Sequence, residues 1–280
     1  MPLLRRNDGP ALYYELDDYT DPWKDAPHIL LQHGFSRSSK FWYRAVPYLS
    51  RHYRIIRPDL RGLGQSSTDF DVERGISIAA YIDDLNAVLD ALGLKSVHYC
   101  GESFGGILGI AFAAECLERV RTLTAISVPM FRNEEVKTRA CFGYASWEEA
   151  LRKLGARGYA EAKNKADRFA PDTDPALTAW FSEEYGKSDV DVLIGMSKLA
   201  TSHVSTTYLP RIKAPTLIIN PSHDTHTTPE HEALLRRHAP HARLVHLPSH
   251  FHNLHFAQPV ACASHLLHFC AQCDGIACHE

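Results

Sequence analysis

A doubly wound, mostly parallel α/β sheet interrupted by a helical insertion is the fold that the sequence predicts, and three observations predict it. Short β-rich apolar runs recur along the chain with helical patterns between them. That alternation stops between about residues 130 and 213 and then resumes. One run also ends in an abrupt turn, GESFGG at 101–106, which opens directly into a helical pattern. Sequential strand–helix–strand units place helices on both faces of a parallel sheet, so its strands read as continuous apolar runs. The expected division is a core of 1–129 and 214–280 with a helical cap of 130–213 inserted into it.

The elements follow in chain order. ALYYEL at 11–16 is the first predicted strand, followed by HILLQ, YRIIRP, SVHYC, LTAIS, PTLII and ARLVHL, each bounded by Gly, Pro or Asp. ISIAAYIDDLNAVLDALGL carries Ile82, Leu85, Leu89 and Leu92 at helical spacing, and Gly93 stands where a helix C-cap belongs. PEHEALLRRHAP opens with Pro229 and acidic residues and closes with basic ones, as the helix dipole prefers. The insertion reads as helices over EEVKTRACFGYA, SWEEALRKLGARGYAEAKNKADRFA, PALTAWFSEEYG and DVDVLIGMSKLA, with no internal repeat or low-complexity linker.

Bulk properties exclude several classes. The 280 residues are 45% hydrophobic and 22% charged with a net charge of −3 and no basic stripe, which argues against a nucleic-acid partner. MPLLRRNDG lacks a long apolar region and no run approaches the roughly 20 apolar residues that span a bilayer, so a cytoplasmic protein with no membrane partner is expected. Seven scattered cysteines argue for reduced thiols. The C-terminal CAQCDGIACH contains a CxxC but no second pair to complete a zinc site, so no metal is expected. Nothing in the sequence sets an oligomeric state.

Strand, G-x-S-x-G, helix is a nucleophile elbow. The chain reverses so sharply at Ser103 that Gly101 and Gly105 become steric requirements. The hydroxyl then stands at a helix N-terminus, whose unpaired amides favour developing negative charge. A serine is a weak nucleophile until a base takes its proton, and the base needs an acid to fix its tautomer. Asp224 follows the strand PTLIIN, and His250, His252 and His255 follow ARLVHL, at the same sheet edge as Ser103. Glu134 and Glu135 are rival acids that read more easily as the first turn of an insertion helix; Glu102 is expected to bond locally without a catalytic role.

HGFSRSSKFW, RPDLRGLGQSS, GESFGG, NPSHDTHTTPE and LPSHFHNLHFAQP, in this order, resemble the α/β-hydrolase superfamily, most closely its lidded esterase, lactonase and cofactor-free perhydrolase branch. The similarity covers about residues 10–129 and 210–270; no motif matches the insertion. The resemblance implies that the catalytic histidine stands seven residues before a proline, which selects His252 before Pro259 over His250, although Phe251 replaces the family's usual glycine. It implies a catalytic set of Ser103, Asp224 and His252, and an oxyanion hole from the backbone N–H groups of Phe35 and Phe104, the former in the turn formed by His33 and Gly34. It also marks Asp59, Arg61, Gly62 and Gly64 as a structural staple, with the charged pair ordering a turn.

The insertion supplies Met130, Phe131, Phe142, Tyr144, Trp147, Phe169, Trp180, Phe181 and Met196, most of them expected in its own core; Phe131, Trp147, Trp180 and Met196 are the candidates for the substrate pocket. No Arg or Lys cluster marks a polyanion site, so an apolar or aromatic substrate of moderate size is expected. These features point to hydrolysis of a small-molecule carboxylic ester or lactone through an acyl-enzyme, with no cofactor. Two alternatives remain open: carbon–carbon bond hydrolysis of a vinylogous diketone, disfavoured by Glu102 and Asn253 at its diagnostic positions, and a ligand receptor of the same fold with little turnover.

Overall fold

The structure, a computed structural model, describes residues 3–224 and 226–276. Its sheet has eight strands in the order β1-β2-β4-β3-β5-β6-β7-β8. They are β1 (Leu3–Leu4), β2 (Leu12–Asp17), β3 (His28–Gln32), β4 (Arg54–Pro58), β5 (Val97–Glu102), β6 (Val120–Ile126), β7 (Thr216–Pro221) and β8 (Arg243–Leu247). The pairings β1·β2 and β2·β4 are antiparallel; all others are parallel. Helices α1 (Val46–Leu49), α2 (Val72–Gly75), α3 (Ile78–Ala91) and α4 (Phe104–Glu115) precede β6. Between β6 and β7 come α5 (Glu134–Ala140), α6 (Trp147–Lys163), α7 (Pro175–Tyr185) and α8 (Val190–Ser202), and α9 (Pro229–His238), α10 (Leu254–Ala257) and α11 (Pro259–Asp274) follow. Among the described residues, no helix is long and apolar enough to cross a membrane.

The pleat divides the core in two. Leu30 and Ile56 face α3 and α4, packing with Leu85, Leu108 and Phe112. Ile29, Leu31 and Ile55 face the other way, against Leu49 of α1 and Leu266 and Phe269 of α11. Successive strand side chains point to opposite faces, so each run must be apolar throughout to serve both layers. Burying each such Leu or Ile contributes about 1.5–3 kcal/mol. In α3 the Ser77 hydroxyl accepts from the Ala80 N–H to cap the first turn, Ile82, Leu85 and Leu89 are buried, and Gly93 takes a φ of +67° just past the last turn.

Three features add detail that the sequence did not carry. The two-residue β1 is too short to carry a periodic signal. The CAQC segment belongs to α11, where Cys262 and Cys270 lie buried in the apolar layer and Cys273 is exposed; Cys278 and His279 lie outside the described residues. Asp59 and Arg61 do not pair with each other. Asp59 instead accepts from the backbone N–H groups of Ser39 at 2.5 Å and Gln65 at 2.8 Å, while Arg61 forks onto Asp84 of α3 at 2.6 Å through both Nε and Nη2. An acid can cap backbone donors next to a tight turn where a neighbouring guanidinium cannot fold back far enough to reach it.

Candidate active site

Ser103, between β5 and α4, has φ 52° and ψ −114°, a conformation sparsely populated for a residue with a β-carbon. Its neighbours show why the strain is held. A Cβ on Gly101 would lie 2.2 Å from the Gly105 carbonyl oxygen, and one on Gly105 would lie 2.4 Å from that of Gln32. Both glycines are therefore required by close backbone approach.

Three loops at the carboxyl ends of parallel strands meet at the serine. The Ser103 hydroxyl donates to His252 Nε2 at 2.9 Å, and His252 Nδ1–H donates to Asp224 Oδ2 at 2.9 Å. Asp224, in the loop leaving β7, is held by the His226 N–H at 3.1 Å and the Thr227 hydroxyl at 3.3 Å. His252 lies between β8 and α10, its own N–H donating to the Asp167 carbonyl at 3.1 Å. All three side chains are buried. Burial first, and Arg168 second, hold the His252 imidazole well below its ordinary 6.5, although Glu102 and Asp167 pull the other way. The ring is therefore neutral and ready to accept a proton at neutral pH.

The competing histidines stand elsewhere. His250 is exposed and stacks on His223 with ring centroids 4.8 Å apart. His255 is buried 4.8 Å from the Trp42 ring, and burial pushes it down to about 4. Glu134 and Glu135 occupy the first turn of α5.

Phe104 opens α4, so its N–H belongs to the first turn and has no intrahelical partner. Phe35 lies in the loop leaving β3, which is registered beside β5 with Gln32 opposite Gly101. That loop is stapled by His33, whose Nδ1–H donates to the Gly34 carbonyl at 2.9 Å and whose Nε2 accepts from the Leu60 N–H at 3.0 Å. The two N–H groups thus belong to segments that leave adjacent parallel strands at the same sheet edge.

Glu102 is more than a local partner. It is fully buried and ion-paired with Arg37, its Oε1 lies 3.9 Å from His252 Nε2, and Arg37 Nη2 donates to Asn253 Oδ1 at 2.6 Å. Burial alone would raise the Glu102 carboxyl, but Arg37, then His255 and His252, hold it below its usual value.

The four pocket candidates separate. Trp147 lies 5.2 Å from the Phe35 ring and 4.8 Å from the Arg132 guanidinium carbon. Phe131 meets His231 edge-on at 4.4 Å, and Met196 is buried in the core shared with the sheet. Trp180 departs from expectation: it lies flat against Phe256 at 5.8 Å and lines a surface groove of about 530 Å³ with Lys40, Tyr43 and Asp174. One residue of helical rotation separates it from Phe181, which takes the buried side of α7.

A cluster of cations, with Arg132 and Lys163 buried and Arg168 partly so, also contradicts the sequence reading that no such group exists. Arg132 follows β6, while Lys163 and Arg168 come from the end of α6 and the π-helical turn Asn164–Arg168. Thirty residues separate the two contributions, and only folding joins them. Burial pushes Lys163 down to about 7 and Arg132 down to about 10. Burial would raise Asp167, but Arg168, the His226 hydrogen bond and Lys163 overcome it and hold its carboxyl far below the usual range. His226 links the cluster to the serine: its Nε2 bonds Asp167 Oδ2 at 3.0 Å and its ring lies 4.5 Å from that of His252.

Asp224, His226 and His252 each place one ligand-type atom within 4.8 Å of the others. A cation there would displace the Asp224–His252 hydrogen bond and face Lys163 and Arg168, so the donor set suits proton transfer better than metal binding.

The sequence profile described as alpha/beta hydrolase fold matches residues 27–259. The chain is 26% identical over 212 residues to the strigolactone esterase D14 of Arabidopsis thaliana, covering 75% of this chain and 79% of that one. It is 30% identical over 152 residues to RutD of Agrobacterium fabrum, a protein named for carbamate hydrolysis, covering 54% of this chain and 55% of that relative's length. The fold superposes on the crystal structure of the enol-lactonase from Burkholderia xenovorans LB400 with a TM-score of 0.82 and 24% identity, covering 94% and 98% of the two chains.

Proposed function

Because the chain belongs to the alpha/beta hydrolase fold family, we propose that it is a serine hydrolase acting on a carboxylic ester or lactone, with helices α5 to α8 forming a cap over the site. The unbroken hydrogen-bond relay from Ser103 through His252 to Asp224, 2.9 Å at each step, carries this reading. Ser103 attacks the carbonyl as His252 Nε2 takes its proton. Asp224 fixes the tautomer and steadies the imidazolium. The N–H groups of Phe35 and Phe104 bind the oxyanion, and removing one such donor costs about 10²–10³ in rate. The imidazolium then protonates the leaving alcohol, and water, activated by the same ring, releases the acid and restores the serine. The esterase name of the Arabidopsis relative supports the ester reading.

A fluorophosphonate probe tests the nucleophile. It is expected to label Ser103 stoichiometrically, and a labelled Ser103→Ala protein would overturn the assignment. A labelled wild-type protein that turns over no member of a panel of aryl esters, aliphatic esters and lactones would point to a receptor of this fold.

The acid limb of kcat/KM supplies a second expectation. His252 must be neutral to act, and its folded value is depressed, so activity is full above that value and is lost as pH falls through it. The limb is expected below the ordinary histidine value of 6.5. Arg168→Met, which removes the main charge opposing protonation, is expected to move it to higher pH. A wild-type limb above 6.5, measured with a neutral ester, would contradict this.

A further inference from the structure

The cation cluster beside the serine is out of balance. Among the described residues its only carboxylate in an ion pair is Asp167, already engaged by Lys163 Nζ at 3.7 Å, Arg168 Nε at 3.3 Å and His226. Arg132 forms no ion pair among the described residues, although only 8% of it is exposed. Its Nε, Arg168 Nη1 and the Trp147 indole Nε1 are buried donors without hydrogen-bond partners. A buried guanidinium with no ion-pair partner and an unpartnered Nε is disfavoured unless something else completes it. Two of its surroundings point at the reaction centre. The Trp147 ring spans from Arg132 to the Phe35 loop, 4.8 Å and 5.2 Å away, and the turn holding Arg168 gives the His252 N–H its acceptor. That turn is π-helical, a local departure that often accompanies functional sites.

We propose that Arg132, with Arg168 and the Trp147 indole N–H, binds a carboxylate carried by the substrate, so that the ester or lactone hydrolysed at Ser103 is an anionic one. This inference rests on the serine-hydrolase reading for its location and extends it to a substrate class. The planar guanidinium and the indole N–H offer donors to both carboxylate oxygens. The width of the Trp147 ring sets the separation, so a short carbon chain joins the carboxylate to the scissile carbonyl.

Two measurements test it. The mono-para-nitrophenyl ester of glutaric acid and para-nitrophenyl valerate differ chiefly in charge. Wild type is expected to favour the anionic ester in kcat/KM, and Arg132→Met to reduce that preference roughly 10–10²-fold. A preference unchanged in Arg132→Met, or absent in wild type, overturns the proposal. The second readout needs no turnover. Glutarate is expected to raise the Tm of Ser103→Ala but not of Ser103→Ala/Arg132→Met, and the double variant without glutarate is expected to be at least as stable as its parent. An equal rise in both overturns the subsite, and a rise with inorganic phosphate but none with glutarate overturns its carboxylate specificity. Should Arg132→Met not fold, Arg132→Lys takes its place, with a reduced glutarate response expected because the fork is lost. An Arg132-dependent glutarate response in a protein whose Ser103 resists fluorophosphonate keeps the anion subsite and rejects the hydrolase; a labelled Ser103 with no glutarate response does the reverse.

Discussion

Ser103→Ala is expected to lower kcat for an activated aryl ester by about 10⁴–10⁶-fold, His252→Ala by a similar factor, and the double variant little further. The reason for non-additivity is geometric. Each half of the 2.9 Å Ser103–His252 contact is useless without the other: an imidazole with no hydroxyl has no proton to take, and a hydroxyl with no base remains a weak nucleophile. Residual turnover would reflect binding and the oxyanion donors, which neither substitution touches. Asp224→Asn, which keeps the shape of the partner at 2.9 Å but can favour the wrong imidazole tautomer, is expected to cost about 10⁴ in kcat. His250→Ala provides the control, because that ring stacks on His223 at the surface and no measurable loss is expected. Steady-state kinetics on purified variants decide the matter. Strictly multiplicative losses from the two single substitutions would mean that Ser103 and His252 do not act as a unit.

These residues were legible in the sequence for specific reasons. Strands buried on both faces must be apolar throughout, so HILLQ, SVHYC and PTLII stood out, and their parallel order placed the loops carrying Ser103, Asp224 and His252 at one sheet edge. The elbow was legible because the two close backbone approaches at Gly101 and Gly105 admit no side chain. What stayed hidden was pairing between side chains distant in sequence. Arg37, Glu102 and Asn253 form one buried group although 65 and 216 positions separate the bonded pairs. Arg132, Lys163 and Arg168 each look like ordinary surface charge until the π-helical turn and the exit from β6 are folded together around Asp167. The Asp59–Arg61 expectation failed for the same reason in reverse: neighbours in sequence found partners on other elements, backbone donors of Ser39 and Gln65 for one and Asp84 for the other.

Glu102→Ala should be among the most destabilising single substitutions in the chain, at about 3–5 kcal/mol, because it strands the Arg37 guanidinium inside the protein. Arg37 is 5% exposed, and with Glu102 gone it would keep only its 2.6 Å bond to Asn253 and a 5.4 Å approach to the Phe181 ring. Neither supplies a countercharge. In a domain of this size such a loss lowers Tm on the order of 10 °C. Replacing both partners by methionine removes the stranded charge along with the pair, so Arg37→Met/Glu102→Met is expected to recover most of the loss. The pair also carries a pH signature. The folded Glu102 carboxyl lies below its ordinary 4.5, so its contribution is present above that value and is lost as pH falls through the depressed one. Glu102 Oε1, 3.9 Å from His252 Nε2 and without a hydrogen-bond partner, faces the nitrogen that becomes positive when Ser103 gives up its proton. Glu102→Gln keeps the shape and removes that charge, so it is expected to lower kcat more than it raises KM. Urea denaturation of wild type, Glu102→Ala and Arg37→Met/Glu102→Met, with kinetics on Glu102→Gln, separates the two roles. A Glu102→Ala protein within about 1 kcal/mol of wild type would show that the buried guanidinium finds water or another acceptor.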